Sequence, residues 1–410
     1  MKKHLLPLTF FLVLALVLSA CTPKAAPDPA LPESVYPAGA DARTAYPAAA
    51  SPTAIPSTTT EIPTFSAPAG IPLFSIRIFP DGQAWAANWN QTALYHTVDA
   101  GLTWTDVSPA DAISGASGGF YSFFLDGSTA WLSLPQFESS SLLHTTDAGA
   151  TWTATALDFP AGNPQFLDSQ NGFLLSRLDA GAGSEYVAIY QSADGGLSWE
   201  QRFRHEPGMA DPSLPTGGQK SGFVFPNLNN GWVSGSEPIN DFVYLFRSVD
   251  SGVNWVLQDI SLPDDAIGAI FESLPPVFFR AAEAVLPLRA YLPDGDMRTM
   301  FYRSTDGGET WAFLNGALPP ANHFVFADAQ NWWLQGESTL FRTRDGGASW
   351  EDLSGALPAG FIPLNLDFTD ANNGWMLVSP AGDVEYESNY LFHSADGGAS
   401  WELLPSLLAP

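Results

Sequence analysis

The chain has 410 residues, with 43 acidic and 16 basic side chains that give a formal net charge of −27 and a pI near 4.2. Hydrophobic residues make up 45% of the sequence, which is enough to build a core and excludes a wholly disordered chain. The acidity, with only four lysines, excludes nucleic acid as a partner because phosphate binding needs clustered Lys and Arg. The single cysteine excludes a disulfide scaffold and a cysteine-based zinc site.

Residues 1–21 are predicted to be a lipoprotein signal peptide. Two lysines provide the positive start, and the apolar run at positions 5–18 is too short to cross a bilayer about 30 Å thick. Positions 18–21 (LSAC) resemble the bacterial lipobox, which implies a lipid on Cys21; an ordinary signal peptide with a chance cysteine is the alternative. We therefore expect an extracytoplasmic protein, anchored through Cys21 to the cell membrane or outer membrane of a bacterium.

Residues 22–69 are rich in Pro, Ala, Ser and Thr and carry few large apolar side chains. Such a segment cannot bury enough surface to fold, so it is predicted to be a flexible linker that holds a domain away from the membrane. The domain that follows spans residues 70–410.

One octet with the pattern [S/T]-x-D-x-G-x-[S/T/N]-W recurs seven times in this domain. An aspartate in this context accepts hydrogen bonds from nearby backbone N–H groups, and the glycine two residues later adopts a positive φ without steric cost. The tryptophan then opens the next strand and covers the turn with a large apolar ring. The octet is therefore predicted to be a hairpin turn, with a structural aspartate at Asp99, Asp147, Asp194, Asp250, Asp306, Asp345 and Asp396.

A second pattern precedes each octet, namely a strand, a polar turn and then a buried bulky residue such as Trp85 or Trp131. Each repeat therefore holds four strands, A to D, and the octet tryptophans lie 39 to 56 residues apart. Seven such units predict an all-β fold, a single seven-bladed β-propeller. Because the first repeat has its own strand A and the last its own strand D, the ring is expected to close by side-chain packing alone.

The octet resembles the Asp-box, or BNR repeat, of sialidases, sortilin-type receptors and some glycoside hydrolases. Together with the upstream turn, it is most similar to the photosystem II stability/assembly factor family and its bacterial relatives, within the wider WD40/YVTN/BNR-like group. The resemblance covers nearly all of residues 71–410. It implies the propeller fold and a chaperone-like binding role, but unrelated activities share the repeat. The family's basic patch does not carry over, since residues 70–410 hold one lysine and eleven arginines against 39 acids.

Strand order places the A–B turns and the Asp boxes at one end of each repeat, and the B–C loops and D–A connections, including 203–222 and 260–276, at the other. The loops at this second end vary in length, and variable loops on a rigid scaffold are where binding usually occurs. This end is mostly acidic and is predicted to dock a basic partner or to bind cations; a merely solubilising surface is the alternative. The candidate binding residues are Trp89, Glu237, Asp294, Asp296, Arg298, Asp383 and Glu385.

An enzyme is not expected. Arg77 faintly echoes the sialidase Arg-Ile-Pro segment, but no arginine triad is evident, and xyloglucanase-type hydrolases pair two propellers where this chain has one. No cofactor and no metal site are predicted. The sequence favours a membrane-anchored, non-catalytic binding module for another envelope protein. A carbohydrate-binding or sialidase-like glycoside hydrolase propeller, with Trp89 as the sugar-stacking residue, is the alternative.

Overall fold

The computed structural model describes residues 70–409 except 115, 117, 137–139, 182, 206–212, 384 and 387. The predicted signal peptide, Cys21 and the linker 22–69 lie outside the described residues. The described chain is almost entirely β-structure, with one short helix, α1 (Ala110–Ile113), and 3₁₀ turns at Asp264–Ala266 and Ser354–Ala356. In this part of the chain no helix is long and apolar enough to cross a membrane.

The strands fall into seven consecutive antiparallel units, here called repeats 1 to 7, each with four strands paired in chain order. Repeats 1 to 3 comprise β1 (Ser75–Ile78), β2 (Ala84–Ala87), β3 (Leu94–Thr97) and β4 (Thr103–Asp106); β5 (Tyr121–Phe124), β6 (Ala130–Pro135), β7 (Ser140–Thr145) and β8 (Thr153–Leu157); and β9 (Gly162–Phe166), β10 (Gly172–Gly181), β11 (Ser184–Ser192) and β12 (Glu200–Arg204). Repeat 4 comprises β13 (Gln219–Val224), β14 (Gly231–Asn240), β15 (Leu245–Ser248) and β16 (Val256–Leu257). Strand β17 (Ile270–Ser273) follows it. Repeat 5 comprises β18 (Val277–Phe278), β19 (Ala284–Tyr291), β20 (Met297–Ser304) and β21 (Ala312–Leu318). Repeat 6 comprises β22 (His323–Phe326), β23 (Trp332–Gln335), β24 (Leu340–Thr343) and β25 (Glu351–Asp352). Repeat 7 comprises β26 (Phe361–Phe368), β27 (Gly374–Pro380), β28 (Tyr390–Ser394) and β29 (Glu402–Leu403), and the last strand is β30 (Leu407–Leu408).

The core consists of seven apolar clusters, and each cluster joins two neighbouring repeats. One of them joins the last repeat to the first, through Trp375 and Leu377 on one side and Ile76 and Trp104 on the other. The contacts between repeats therefore run in a closed cycle, although no hydrogen-bonded sheet runs around it.

The buried bulky residue of strand B sits at these junctions. Trp85, Trp131, Trp232 and Trp333 have no exposed surface. Several of these indoles also donate a hydrogen bond to a carbonyl of the following repeat, as Trp131 Nε1 does to Gly195 O at 2.9 Å. Burial of a large ring together with a satisfied N–H fixes both the distance and the register between repeats.

The connection 260–276, predicted as a loop, contains β17. This strand pairs with β14 on one side and β19 on the other, so repeats 4 and 5 share a single nine-stranded sheet. Its side chains alternate between half-buried and buried, with Phe271 and Ser273 inside. This strand has only four residues and lies between proline-rich segments. Its sequence pattern is therefore too short to distinguish a strand from a loop.

The prediction that the ring closes by side-chain packing alone is wrong. The last strand, β30, adds in parallel to the outer edge of β4 in repeat 1. Leu407 N donates to Leu102 O at 2.9 Å and Ala409 N donates to Trp104 O at 2.7 Å. The hydroxyl of buried Ser406 donates to Gly101 O at 2.6 Å. The open edge of β4 supplies free carbonyls, and the chain after β29 is long enough to reach them.

Deleting residues 406–410 removes these three hydrogen bonds and is expected to lower the free energy of unfolding by about 2–3 kcal/mol, at about 1 kcal/mol per bond. Urea unfolding followed by tryptophan fluorescence measures the loss. The matched control is the double variant Leu407→Ser, Leu408→Ser. Because both side chains are largely exposed, this variant should cost far less. A control as destabilised as the deletion would contradict the assignment to backbone pairing.

Candidate functional site

Every Asp box folds into the same turn. The hydroxyl of the first residue donates to the aspartate Oδ1 at 2.7–2.9 Å. That same Oδ1 accepts the backbone N–H four residues beyond the aspartate at 2.8–3.0 Å. The motif glycine has a φ between 80° and 93° in all seven boxes. The box aspartates are thus engaged in their own turns, at Asp99, Asp147, Asp194, Asp250, Asp306, Asp345 and Asp396.

The box turns and the A–B turns share one end of each repeat, here called the box end. In all seven repeats the residue directly after the box aspartate donates its backbone N–H to a carbonyl of the A–B turn, as Ala100 does to Gly82 at 2.9 Å. The B–C loops and D–A connections therefore lie at the opposite end, here called the loop end. This arrangement leaves the loop end as the part of the scaffold that varies.

In five of the seven boxes the hydroxyl of the seventh residue is the main group that lowers the pKa of the aspartate. Thr310 Oγ1 donates to Asp306 Oδ2 at 2.5 Å and, with the backbone bonds, holds the pKa of Asp306 at about 2. The equivalent serines act in the same way on Asp345 and Asp396, whose pKa values are also about 2. A pKa below the unfolded value of 3.8 stabilises the native state above about pH 4, and that stabilisation is lost as the pH falls toward 2.

The variant Thr310→Val removes this hydroxyl while keeping the side-chain shape. We expect the pKa of Asp306 to rise toward its ordinary value. The free energy of unfolding at pH 7 should fall by about 0.5–1 kcal/mol, because an exposed hydrogen bond to a charged group contributes about that much. At pH 2 the loss should shrink because the carboxylate is then partly protonated. Urea unfolding at pH 2, 4 and 7 tests this; an equal loss at all three would mean that the hydroxyl does not act through the carboxylate.

The acidic candidates lie at the loop end, in different repeats. Asp294 and Asp296 flank the turn between β19 and β20, where Asp296 N donates to Asp294 Oδ1 at 3.1 Å. Arg298 forms an ion pair with Asp265 at 3.1 Å and so is already engaged by a carboxylate. These residues form an exposed acidic turn rather than a closed pocket.

The other two acidic candidates lie in repeats 4 and 7. Glu237 is half-buried in β14, near the only lysine of residues 70–410. Asp383 and Glu385 lie between β27 and β28, where Glu385 N donates to Asp383 Oδ1 at 3.0 Å. The structure thus spreads the predicted carboxylates over the loop end and pairs only those that are neighbours in sequence.

Trp89 belongs to an aromatic group that the sequence analysis did not assemble. It lies between β2 and β3 and is 56% exposed. Its ring centroid is 4.4 Å from that of Phe74 and 5.1 Å from that of Tyr386. We call Phe74, Trp89 and Tyr386 the aromatic patch. Phe74 comes from the first residues of repeat 1 and Tyr386 from the loop of repeat 7, so the patch spans the junction where the cycle closes.

A charged cluster between repeats 3 and 4 was also missed. Lys220 is buried, and its Nζ donates to the carbonyls of Glu185, Thr216, Gly217 and Gly218 at 3.0–3.3 Å. Burial lowers the pKa of Lys220 to about 8 although nearby carboxylates oppose the shift. The sequence feature that could have pointed to this cluster is that Lys220 is the only lysine of residues 70–410. The four carbonyls come from both sides of the repeat 3–4 junction, which indicates a structural role.

Glu185 completes this cluster. Its side chain accepts Arg177 Nε at 2.7 Å and the backbone N–H of Lys220 at 2.7 Å. The guanidinium of Arg177 also donates to Lys220 O at 2.9 Å. The buried carboxylate is thereby neutralised and fully bonded, as a buried charge must be.

The first strands of repeats 1 to 5 line one cavity of about 980 Å³. Its lining includes Phe123, Gln165 and Phe223, and two cationic side chains, Arg77 and Arg280. Arg77 forms an ion pair with buried Asp367 at 3.0 Å, which joins repeats 1 and 7. None of the described residues that line the cavity is a carboxylate, and no group of three metal-ligating side chains occurs in the described part of the chain.

Comparison with known proteins agrees with the repeat assignment. The family model described as BNR/Asp-box repeat matches residues 302–313, which contain the box of repeat 5. No curated protein matches the chain. The comparisons show that the chain has a BNR/Asp-box repeat on a β-propeller fold. Within that class it resembles YCF48, an assembly factor of photosystem II.

Three solved structures illustrate the fold likeness. A GH74 enzyme from Niastella koreensis is 12% identical with a TM-score of 0.51, over 82% of this chain and 67% of the other. YCF48 bound to a D1 peptide is 16% identical with a TM-score of 0.50, over 80% and 95%. A PL25 ulvan lyase bound to -[GlcA(1-4)Rha3S]- is 11% identical with a TM-score of 0.52, over 82% and 96%. Since these are two enzymes and a peptide complex, the likeness establishes fold and not activity.

Proposed function

We propose that residues 70–410 form a seven-bladed propeller, held by the linker 22–69 on a lipid anchor at Cys21, and that it is a non-catalytic module that docks another envelope protein. The docking surface is the loop end. The acidic surplus of the domain makes a basic segment the complementary partner.

The composition of the loop end carries this proposal. It combines exposed acidic turns at Asp294, Asp296 and Glu385 with an exposed tryptophan, whereas the box ends are occupied by turns that bond to themselves. Exposed aromatic and charged side chains on variable loops of a rigid scaffold are typical of a protein interface. The similar YCF48 structure holds a D1 peptide, which is a precedent for peptide binding on this fold. For this chain we propose peptide binding as the mode of recognition, but we do not propose the D1 peptide as its partner.

Glycan binding or glycoside hydrolysis is the alternative. Hydrolysis needs two carboxylates that flank the scissile bond, one of them with a raised pKa. The cavity of about 980 Å³ has no carboxylate among its described lining residues, which favours a binding role. The acidic turns of the loop end remain the place where such a pair would be sought.

The test is affinity capture from a detergent extract of the native envelope with the full-length protein as bait. A second bait carries Glu237, Asp294, Asp296 and Asp383 changed to Lys. We expect one enriched protein with the first bait and its loss, by about tenfold or more at low salt, with the second.

A third bait controls for net charge. It carries the same number of reversals at the exposed residues Glu200, Glu309, Glu351 and Glu402, which lie near the box end or on outer strands. Capture should survive in this bait. Equal loss with both reversed baits would show that only overall charge matters. Recovery of polysaccharide instead of protein would favour the glycan alternative.

A further inference from the structure

Trp89 is the one exposed tryptophan among the described residues. The other thirteen lie in an Asp box, at the strand-B position or, for Trp332, directly before it, and all are buried or half-buried. No repeat position requires a tryptophan at residue 89. A large aromatic ring left in water costs solvation free energy without contributing to the core. Its exposure makes the ring available to a partner.

The loop that carries Trp89 is held rigid by its own side chains. Asn88 Oδ1 accepts the backbone N–H groups of Thr92 and Ala93 at 2.8 and 2.9 Å. The hydroxyl of Thr92 donates to Asn90 Oδ1 at 2.6 Å. Phe74 packs edge-on against the indole at an interplanar angle of 77°. The ring is thus presented in a fixed position, which reduces the entropy lost on binding.

Backbone strain is concentrated beside the patch. Six described non-glycine residues have a positive φ, and three of them occupy the box position where other repeats have glycine. The remaining three lie at the loop end, and two of these, Gln91 and Tyr386, flank Trp89 in sequence or in space. A strained backbone conformation persists where surrounding structure enforces it, commonly at binding sites.

The chemistry around Trp89 favours a cation over a sugar. Asp383 and Glu385 lie in the same short loop as Tyr386, and no ion pair engages either carboxylate among the described residues. Asn88, Asn90 and Thr92 hydrogen-bond to one another, so part of their polar capacity is already used within the loop. An aromatic face together with carboxylates is the combination of groups that binds a guanidinium or ammonium group.

Contacts between a cationic side chain and an aromatic ring also occur within the protein. Arg247 lies over the ring of Trp232 at 5.4 Å and Arg289 over Phe324 at 5.4 Å. Trp89 takes part in none of the cation–π contacts within the described residues, so its outer face is open to a partner.

We propose that Trp89 is the anchor site for an arginine side chain of a basic peptide segment, with the carboxylates of Asp383 and Glu385 as its counter-charge. This inference rests on the proposed docking function and names the chemistry of the partner. The guanidinium stacks on the indole face while the aromatic patch fixes the ring.

The experiment is a titration of the full-length, ¹⁵N-labelled protein in detergent with the peptide acetyl-Gly-Arg-Gly-Arg-Gly-amide. The indole N–H resonance of Trp89, identified by its disappearance in Trp89→Phe, is the readout. A peptide with citrulline in place of arginine keeps the planar group and removes its charge. We expect the arginine peptide to shift this resonance and to bind at least about threefold more tightly than the citrulline peptide.

Variants complete the test, with calorimetry as the readout common to all of them. Trp89→Ala should weaken the arginine peptide at least about threefold, Trp89→Phe should retain most of the affinity, and Glu385→Gln should weaken it and reduce its salt dependence. Phe313→Ala, at another exposed aromatic on an outer strand, is the control and should leave binding unchanged.

Several outcomes would overturn the inference. Equal binding of the citrulline peptide would exclude a cation site, and an unchanged affinity in Trp89→Ala would exclude Trp89 as the anchor. Binding of a neutral xyloglucan oligosaccharide in place of the peptide would make the patch a sugar platform. If capture of the envelope partner depends on the acidic residues but not on Trp89, this inference fails while the docking function stands. If capture depends on neither, both fail.

Discussion

The fold depends on one repeated interaction, the insertion of the strand-B tryptophan between two repeats. The ring of Trp131 stacks on Phe166 of the next repeat at 3.8 Å, and its indole N–H reaches the box carbonyl of Gly195. Trp333 makes the same pair of contacts with Phe368 and Gly397 of the last repeat. At these two junctions the repeats are locked by one apolar and one polar contact, whereas in repeat 3 Phe173 takes the place of the tryptophan and stacks on Phe225 of repeat 4 at 3.7 Å. Because a four-stranded unit cannot bury its own faces, stability requires the whole cycle.

The junction between the last and first repeats uses the same device and further contacts, including a backbone bridge between Ile71 and Asn389. Trp375 donates to Ala100 O at 2.9 Å, and buried Asp367 accepts both Arg77 and the backbone N–H of Ile78 at 2.8 Å. Burial raises the pKa of Asp367, and the charge of Arg77 opposes that shift. Strand β30 then covers the outer edge of repeat 1. A junction whose partners lie at opposite ends of the chain carries the largest loop-closure entropy, so extra contacts there are physically reasonable.

The repeat could be predicted from sequence because its chemistry is local. An aspartate, a hydroxyl and a glycine within eight residues define the turn. In the structure His96, His144 and His393 each pair with a strand-B tryptophan, at the same position of three repeats. What escaped prediction depends on distant or very short segments. The two-residue strand β30 has no measurable periodicity, and the contact of Trp89 with Tyr386 joins the first and last repeats. Trp89 itself stood out only because it falls outside the repeat pattern.

Charge distribution separates the scaffold from the surface. Arg77, Arg177 and Arg342 each pair with a carboxylate, and their partners Asp367 and Glu185 are buried. The single lysine of the domain is enclosed by carbonyls. Much of the positive charge is therefore consumed in holding repeats together, and the surplus of acids faces solvent. A surface of this kind repels acidic partners at long range and attracts basic ones. In the docking function proposed above, electrostatics selects the class of partner and the aromatic patch supplies the position.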